Sequence, residues 1–216
     1  VEPGSDSTIM SYAGICPSNV QSTSDDYFNY VDIRDVKEWT INNSSCSTLT
    51  TTNNEQPMVD GGPDYYIPIS TPFALEATAS DSDSTNLTCC WEQNDPENQY
   101  STSPRSDYNV GPLFRSISPT TSTVRYFPNL FSLVNQTPNI WEVLPSVQRD
   151  MDFAITVRDN EVLNGESASD LKTIKVIDTD ESFHINSFTT HQTLNIGEDF
   201  DIEWTVANTN ITPINV

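Results

Sequence analysis

The chain has 216 residues, and its 31 acidic against 9 basic side chains give a net charge of −22. A field of that sign repels nucleic acid and anionic membrane surfaces and argues against both as partners. No apolar run approaches the roughly 20 residues of a membrane-spanning helix, so membrane insertion is not expected, and the length is ample for one large domain or two small ones.

Abundant Ser, Thr and Asn with few Lys suit a secreted or cell-surface protein, although a salt-adapted surface would have a similar composition. The chain opens at Val1 without an initiator methionine or signal peptide and closes at Val216, directly after the strand-like run Phe200–Val206. Both ends read as cuts through a larger folded protein, and a missing signal peptide leaves the parent's destination open.

Three zones follow in chain order. The first covers 1–47. Ser24-Asp25-Asp26 offers a helix N-cap with acids in the first turn. Tyr27 to Ile41 then places Phe28, Val31, Asp35 and Trp39 near one face, with Ile33 and Val36 beside it, which predicts an amphipathic helix ended by Asn42-Asn43-Ser44-Ser45. The second zone, 48–178, reads as β. Phe73, Leu75, Ala77 and Ala79 alternate with small or polar neighbours, as do Leu87, Cys89 and Trp91, and then Met151, Phe153, Ile155 and Val157. Each run predicts a half-buried strand with one solvated face. Turn-rich connections such as Asn94-Asp95-Pro96-Glu97-Asn98 separate them, and a short helical turn is expected around Leu130–Leu133. The predicted fold class is mainly β, an antiparallel sandwich of immunoglobulin or fibronectin type III kind with Trp91 packing in its core. The third zone, 179–216, follows Ile177-Asp178-Thr179-Asp180-Glu181. Alternation at Phe183 and Ile185, at Leu194 and Ile196, and from Phe200 to Val206 predicts the opening strands of a second sandwich.

The four cysteines are Cys16, Cys46, Cys89 and Cys90. An oxidising compartment would favour a Cys16–Cys46 bridge, although connectivity cannot be deduced from spacing. Cys89 and Cys90 point to opposite faces of a strand and are expected as separate thiols. No C-x-x-C or Cys/His cluster suggests a zinc site within the chain. Carboxylates gather in Asp81-Ser82-Asp83-Ser84-Thr85-Asn86, at Asp159 after a strand, and at Asp178 and Asp180 in the linker. Oxygen ligands at loop ends and linkers suit Ca²⁺, and the same residues also build plain solvated turns. The spacing is not that of an EF-hand. Asn43, Asn86, Asn135 and Asn210 each begin an N-x-[ST] triplet, a pattern common by chance.

The run Ser7-Thr8-Ile9-Met10-Ser11-Tyr12-Ala13-Gly14-Ile15-Cys16, with Asp25-Asp26-Tyr27-Phe28 beyond it, resembles the Met-turn and the end of the catalytic domain in reprolysin-like metzincins, secreted zinc peptidases of the Bacteroidetes kind. Tyr66-Ile67-Pro68, Thr71-Pro72-Phe73, Asn86 to Gln93, Gly111 to Arg115, Arg125 to Pro128 and Phe153 to Asp159 resemble the sandwich module that follows that domain. The resemblance thus covers nearly the whole chain. Cys89 departs from it, since an aromatic residue is expected there.

The resemblance implies a parent that is a Zn²⁺-dependent endopeptidase acting on protein or peptide. Three histidines of H-E-x-x-H-x-x-G-x-x-H would bind the metal there, with the glutamate activating its water. None of these is present: the two histidines, His184 and His191, lie near the C-terminus and outside any such motif. Met10 would be the apolar floor under the zinc, and Tyr12 matches a tyrosine that in some metzincins moves between zinc and a transition-state oxygen; either residue alternatively packs in a core. The expectation is a fragment that is inactive alone, namely the Met-turn and one helix of an α/β catalytic domain, one accessory sandwich and the start of another, partnered by the rest of its parent. The alternative is a noncatalytic extracellular binding or spacer module, with or without calcium. An H-E-x-x-H-x-x-G-x-x-H shortly upstream of Val1 would discriminate the two.

Overall fold

A computed structural model describes residues 2–43, 45, 48, 50–96, 103–187 and 192–210. Among the described residues the chain is mainly β with two helices. In order it forms α1 (Tyr30–Asn43), β1 (Met58–Asp60), β2 (Tyr65–Pro68), β3 (Phe73–Glu76), β4 (Thr78–Ser80), β5 (Thr88–Gln93), β6 (Val124–Phe127), α2 (Leu130–Asn135), β7 (Arg149–Arg158), β8 (Ser167–Ile177), β9 (His184–Ile185) and β10 (Trp204–Thr205). Among the described residues, no helix is long and apolar enough to cross a membrane.

The main sheet has four strands in the order β2-β8-β7-β5. Its two long strands carry it: β7 and β8 pair antiparallel from Arg149↔Val176 to Arg158↔Ser167. β5 adds antiparallel to β7, with Trp91 opposite Ile155, and β2 adds parallel to β8, with Tyr65 opposite Ile174. The β2–β8 pairing departs from the all-antiparallel expectation. β3 and β6 make a second, two-stranded sheet, with Phe73 opposite Phe127.

The core lies between these two sheets. Phe73 and Phe127 stack with ring centroids 4.9 Å apart, and Phe153 on β7 meets Phe127 edge-on at 5.0 Å. Phe114 joins them from a connecting loop, 5.1 Å from Phe127. Leu75, Trp91, Leu113, Met151, Ile155, Val157, Ile174 and Val176 complete the cluster. The alternating runs read from the sequence supply the inward face of β3, β5 and β7, and Trp91 packs as expected with its indole N–H donating to the Thr123 carbonyl at 3.0 Å.

The expectation of one solvated face does not hold for β5 and β7. Cys90 and Glu92 are buried along with Cys89 and Trp91, and Ala154 and Thr156 along with Phe153 and Ile155. The cause is long-range: residues of the first zone lie over this side of the sheet. Cys89 and Cys90 are two separate thiols, as anticipated.

α1 forms, but it starts later than the capping signal suggested. Asn29, not Ser24-Asp25-Asp26, is its cap, with Asn29 Oδ1 accepting the Asp32 N–H at 2.9 Å. Tyr27 cannot join the helix because its side chain is buried against the sheet and its carbonyl takes the Ile9 N–H at 3.0 Å. No residue of α1 is fully buried; Val31 and Ile33 are half-buried, whereas Val36, Trp39 and Ile41 are exposed, so the C-terminal part of its apolar side is uncovered by the described residues. α2 fulfils the expected turn near Leu130, capped by Asn129 and closed by Gln136 in the left-handed region. Among the described residues of the third zone, two-residue strands form, β9 against β10; Leu194 and Ile196 are exposed and lie outside any strand, contrary to the expected second alternating run.

Candidate functional site

Residues 2–29 form a compact succession of tight turns held by short-range polar contacts. Asp6 sits at φ 61°, and its Oδ1 accepts the Ser7 and Thr8 amides. Ser5 Oγ accepts the Val20 N–H at 3.0 Å, and Asn19 Oδ1 takes the Gly14 and Cys16 amides at 3.1 and 3.2 Å. Met10 rides on a turn closed by the Ser11 N–H donating to the Thr8 carbonyl at 3.0 Å, and that turn is anchored by the Asp25 N–H to the Ser7 carbonyl at 2.7 Å. Thr8 is buried while Met10 and Tyr12 are 64% and 66% exposed. Ile9 and Ile15 are exposed beside them, so the turn presents an apolar surface outward from a polar, pinned base.

Gly4 shows how close the segment lies to the rest of the fold. It has φ 63°, and a Cβ there would meet the Ser18 carbonyl at 2.6 Å and the Trp141 ring at 2.7 Å. Gly4→Ala should therefore cost about 1–3 kcal/mol, seen as a lower melting temperature with faster amide exchange across residues 2–12.

The segment is clamped to the sheet through buried groups. The Tyr27 hydroxyl donates to Ser116 Oγ at 2.5 Å, and Ser116 Oγ donates to Glu92 Oε1 at 2.6 Å. Glu92 Oε2 accepts the Tyr30 N–H at 2.8 Å, so a β5 carboxylate braces the first turn of α1. Arg158 reaches the Phe28 carbonyl at 2.6 Å, and Arg115 bonds Gln21 Oε1. Burial raises the Glu92 acid, opposed by Ser116, the Tyr30 amide, Arg158 and Arg125. Burial also pushes the Tyr27 phenol up, helped by Cys90 and Glu2. Glu2 lies nearby, 7% exposed, and neither of its carboxyl oxygens has a hydrogen-bond partner. None of Glu2, Glu92, Tyr27 and Ser116 stands out from periodicity. The available signal was Glu92 itself, an acid directly after the run Cys89-Cys90-Trp91, which counts only once both faces of β5 are known to be covered.

The candidate calcium residues divide between two ends of the sheet. Asp81 Oδ1 accepts the Asp83 and Ser84 amides at 3.0 and 3.3 Å, and Ser84 Oγ donates to the Asp159 carbonyl at 3.2 Å. Asp83 takes the Glu55 N–H at 3.1 Å, and the Asn86 carbonyl accepts from Asn160 at 2.6 Å. Asp159 is buried and accepts from Asn54 at 2.5 Å, Glu166 N at 2.9 Å and Glu161 N at 3.1 Å. Burial alone would raise its acid, but these donors together hold it below the usual carboxylate range. Asp178 and Asp180 lie past the other end of β8, where Asp178 Oδ1 accepts the Asp180 N–H at 3.0 Å. Thus Asp81, Asp83, Asn86 and Asp159 share one loop cluster whose bonds brace turns, and Asp178 and Asp180 are not part of it. Among the described residues, no three His, Cys, Asp or Glu side chains are arranged to hold a metal ion. Cys16 is half-buried, and its suggested partner Cys46 lies outside the described residues, as does His191.

No family model, curated protein or solved structure matches this chain.

Proposed function

We propose that the chain belongs to a secreted metzincin-like zinc endopeptidase, in which residues 1–47 end the catalytic domain and 48–178 form an accessory sandwich of immunoglobulin or fibronectin type III kind. The observation that carries this reading is the turn at Thr8–Ser11, which fixes its polar base by backbone bonds and holds Met10 outward with Ile9, Tyr12 and Ile15. A methionine on a rigid turn, presenting a soft thioether to whatever lies above it, is what the floor of a zinc-histidine site requires. The metal's ligands and the general base would come from other parts of the parent, so these residues shape the floor and perform no step. Tyr12, exposed two positions on, is free to reach a bound peptide there.

The uncovered C-terminal part of α1's apolar side supports the same reading, because a solvent-facing Trp39 and Ile41 suit a helix that ends a larger lobe. Residues 179–216 are read as the start of a second sandwich, with Phe200, Ile202, Trp204 and Val206 awaiting cover.

The test is to read the coding region upstream of Val1 and express the longer product. An H-E-x-x-H-x-x-G-x-x-H there, with chelator-sensitive peptide cleavage that falls at least tenfold in a Met10→Asp variant, is the expected result. The 216-residue chain alone should cleave nothing with Zn²⁺ added. A parent without that motif would leave the noncatalytic spacer or binding module as the function.

A further inference from the structure

The seam between the first zone and the sheet contains an acid with nothing to hold its charge. Glu2 is buried, both of its oxygens lack a hydrogen-bond partner, and two other carboxylates, Asp6 and Glu92, act on it. Beside it lies a cavity of about 10 Å³ bounded by Glu2, Asn29, Tyr30, Val31, Glu92, Gln93 and Asn94. That is room for roughly one water, whereas an ionised carboxylate needs several donors to replace its hydration.

The surrounding charges decide which acid of the group goes neutral. Glu92 has the Ser116 hydroxyl and the Tyr30 amide as donors, and Arg158 on β7 and Arg125 on β6 favour its charged form. Asp6 accepts the Ser7 and Thr8 amides. Asp32 on α1 adds a further negative group near Asp6, and the remaining neighbours, Tyr27 and Cys90, are held neutral by burial. Glu2 has carboxylates in front of it, and the one group opposing them, the Ser116 hydroxyl, already donates to Glu92, so as a neutral acid its O–H faces acceptors, and as an anion it faces repulsion.

We propose that residues 2–8 are seated on the sheet by a proton on Glu2, and that loss of this proton releases them from Glu92 and from the Tyr27–Ser116 contact. Burial first, then Asp6 and Glu92, lift the Glu2 acid well above its ordinary range in the seated state. The sign follows: the seated state binds the proton more tightly than the released state. The stabilisation is therefore complete below the ordinary glutamate range near pH 4.5 and is lost as pH rises toward the lifted value. Glu2 and Glu92 are both buried and repel each other, so the release spreads over a broad pH range.

The experiment is amide exchange on the whole chain at pH 5 and pH 8 with Ca²⁺ chelated, each corrected for the intrinsic exchange rate. Protection across residues 2–12 and 27–30 should fall at pH 8 by about tenfold for every unit by which the seated acid is lifted, while β7 and β8 keep theirs. Glu2→Gln should keep the segment protected at both pH values. Should Glu2→Gln fail to fold, Asp6→Asn serves instead, because removing one repelling carboxylate should shrink the loss at pH 8. Equal protection of the parent segment at both pH values would overturn the proposal, as would an unchanged pH dependence in both variants. Restoration of protection at pH 8 by millimolar Ca²⁺ would also overturn it, assigning the cavity to a cation rather than a proton.

Discussion

Arg149→Ala should destabilise the fold by about 3–5 kcal/mol at pH 7.5, the range found when one partner of a buried ion pair is removed. Arg149 is buried and its guanidinium ties together a whole end of the sheet: Nη2 bonds Asp95 Oδ2 at 3.0 Å and the Gly111 carbonyl at 2.7 Å, and Nη1 bonds the Tyr108 carbonyl at 3.0 Å. Removing it strands a buried carboxylate that also receives the Asp152 N–H at 3.1 Å and a contact from Gln93. The deficit should shrink at pH 5. Burial lifts the Asp95 acid to about 6, against the pull of the Asp152 amide, Arg149 and Gln93. This group therefore favours the folded state most below its unfolded value, and the benefit is lost as pH rises through about 6. A neutral Asp95 no longer needs Arg149's charge. Urea unfolding at both pH values measures the difference, and an equal deficit at pH 5 and 7.5 would contradict this account. Arg149→Lys should recover only part of the loss, since one ammonium cannot serve three divergent acceptors.

Phe153→Ala should cost about 3–5 kcal/mol, by lost transfer energy and by the cavity left behind. Phe153 is fully buried on β7, which lies between β5 and β8 in the main sheet, and its ring contacts Phe73 at 5.8 Å, Phe114 at 6.3 Å and Phe127 at 5.0 Å. Those rings come from the two strands of the facing sheet and from a connecting loop, so no single element can relax to fill the hole. Phe153→Leu, which keeps most of the volume, should cost about 1–1.5 kcal/mol. A denaturation midpoint that moves at constant m-value would show that stability, not the compactness of the unfolded state, has changed.

The legible part of this fold was its local periodicity. Phe73 and Leu75, and Met151 to Val157, alternate because one side of each strand faces the aromatic core, and a period of two is visible in the sequence. What covers the other side was not visible, since Tyr27 and Glu92 meet across 65 positions of chain only through folding. The same reason displaced the start of α1: a good capping run at Ser24–Asp26 yields to Asn29 because Tyr27 gains more as a buried side chain than as a first helical turn. Among the candidate calcium residues, Asp81 and Asp159 do converge, while Asp178 and Asp180 are separated from them by the length of β8, which no spacing argument reveals. Glu2 was unreadable for the opposite reason. An acid beside Pro3 and Gly4, with no apolar periodicity around it, looks solvated until the tertiary structure closes over it.

The parallel pairing of β2 with β8 has a consequence for the order in which the protein assembles. β8 is an interior strand, yet Tyr65 must wait for Ile174 before its ladder can form. On the ribosome, β2, β3 and β5 emerge long before either long strand, with apolar faces and unpaired edges. Closure of the main sheet is therefore late and entropically costly, a topology expected to fold slowly. A chain stopped before Ser167 should remain an aggregation-prone collapsed state, because β2 and β7 then lack the strand that lies between them.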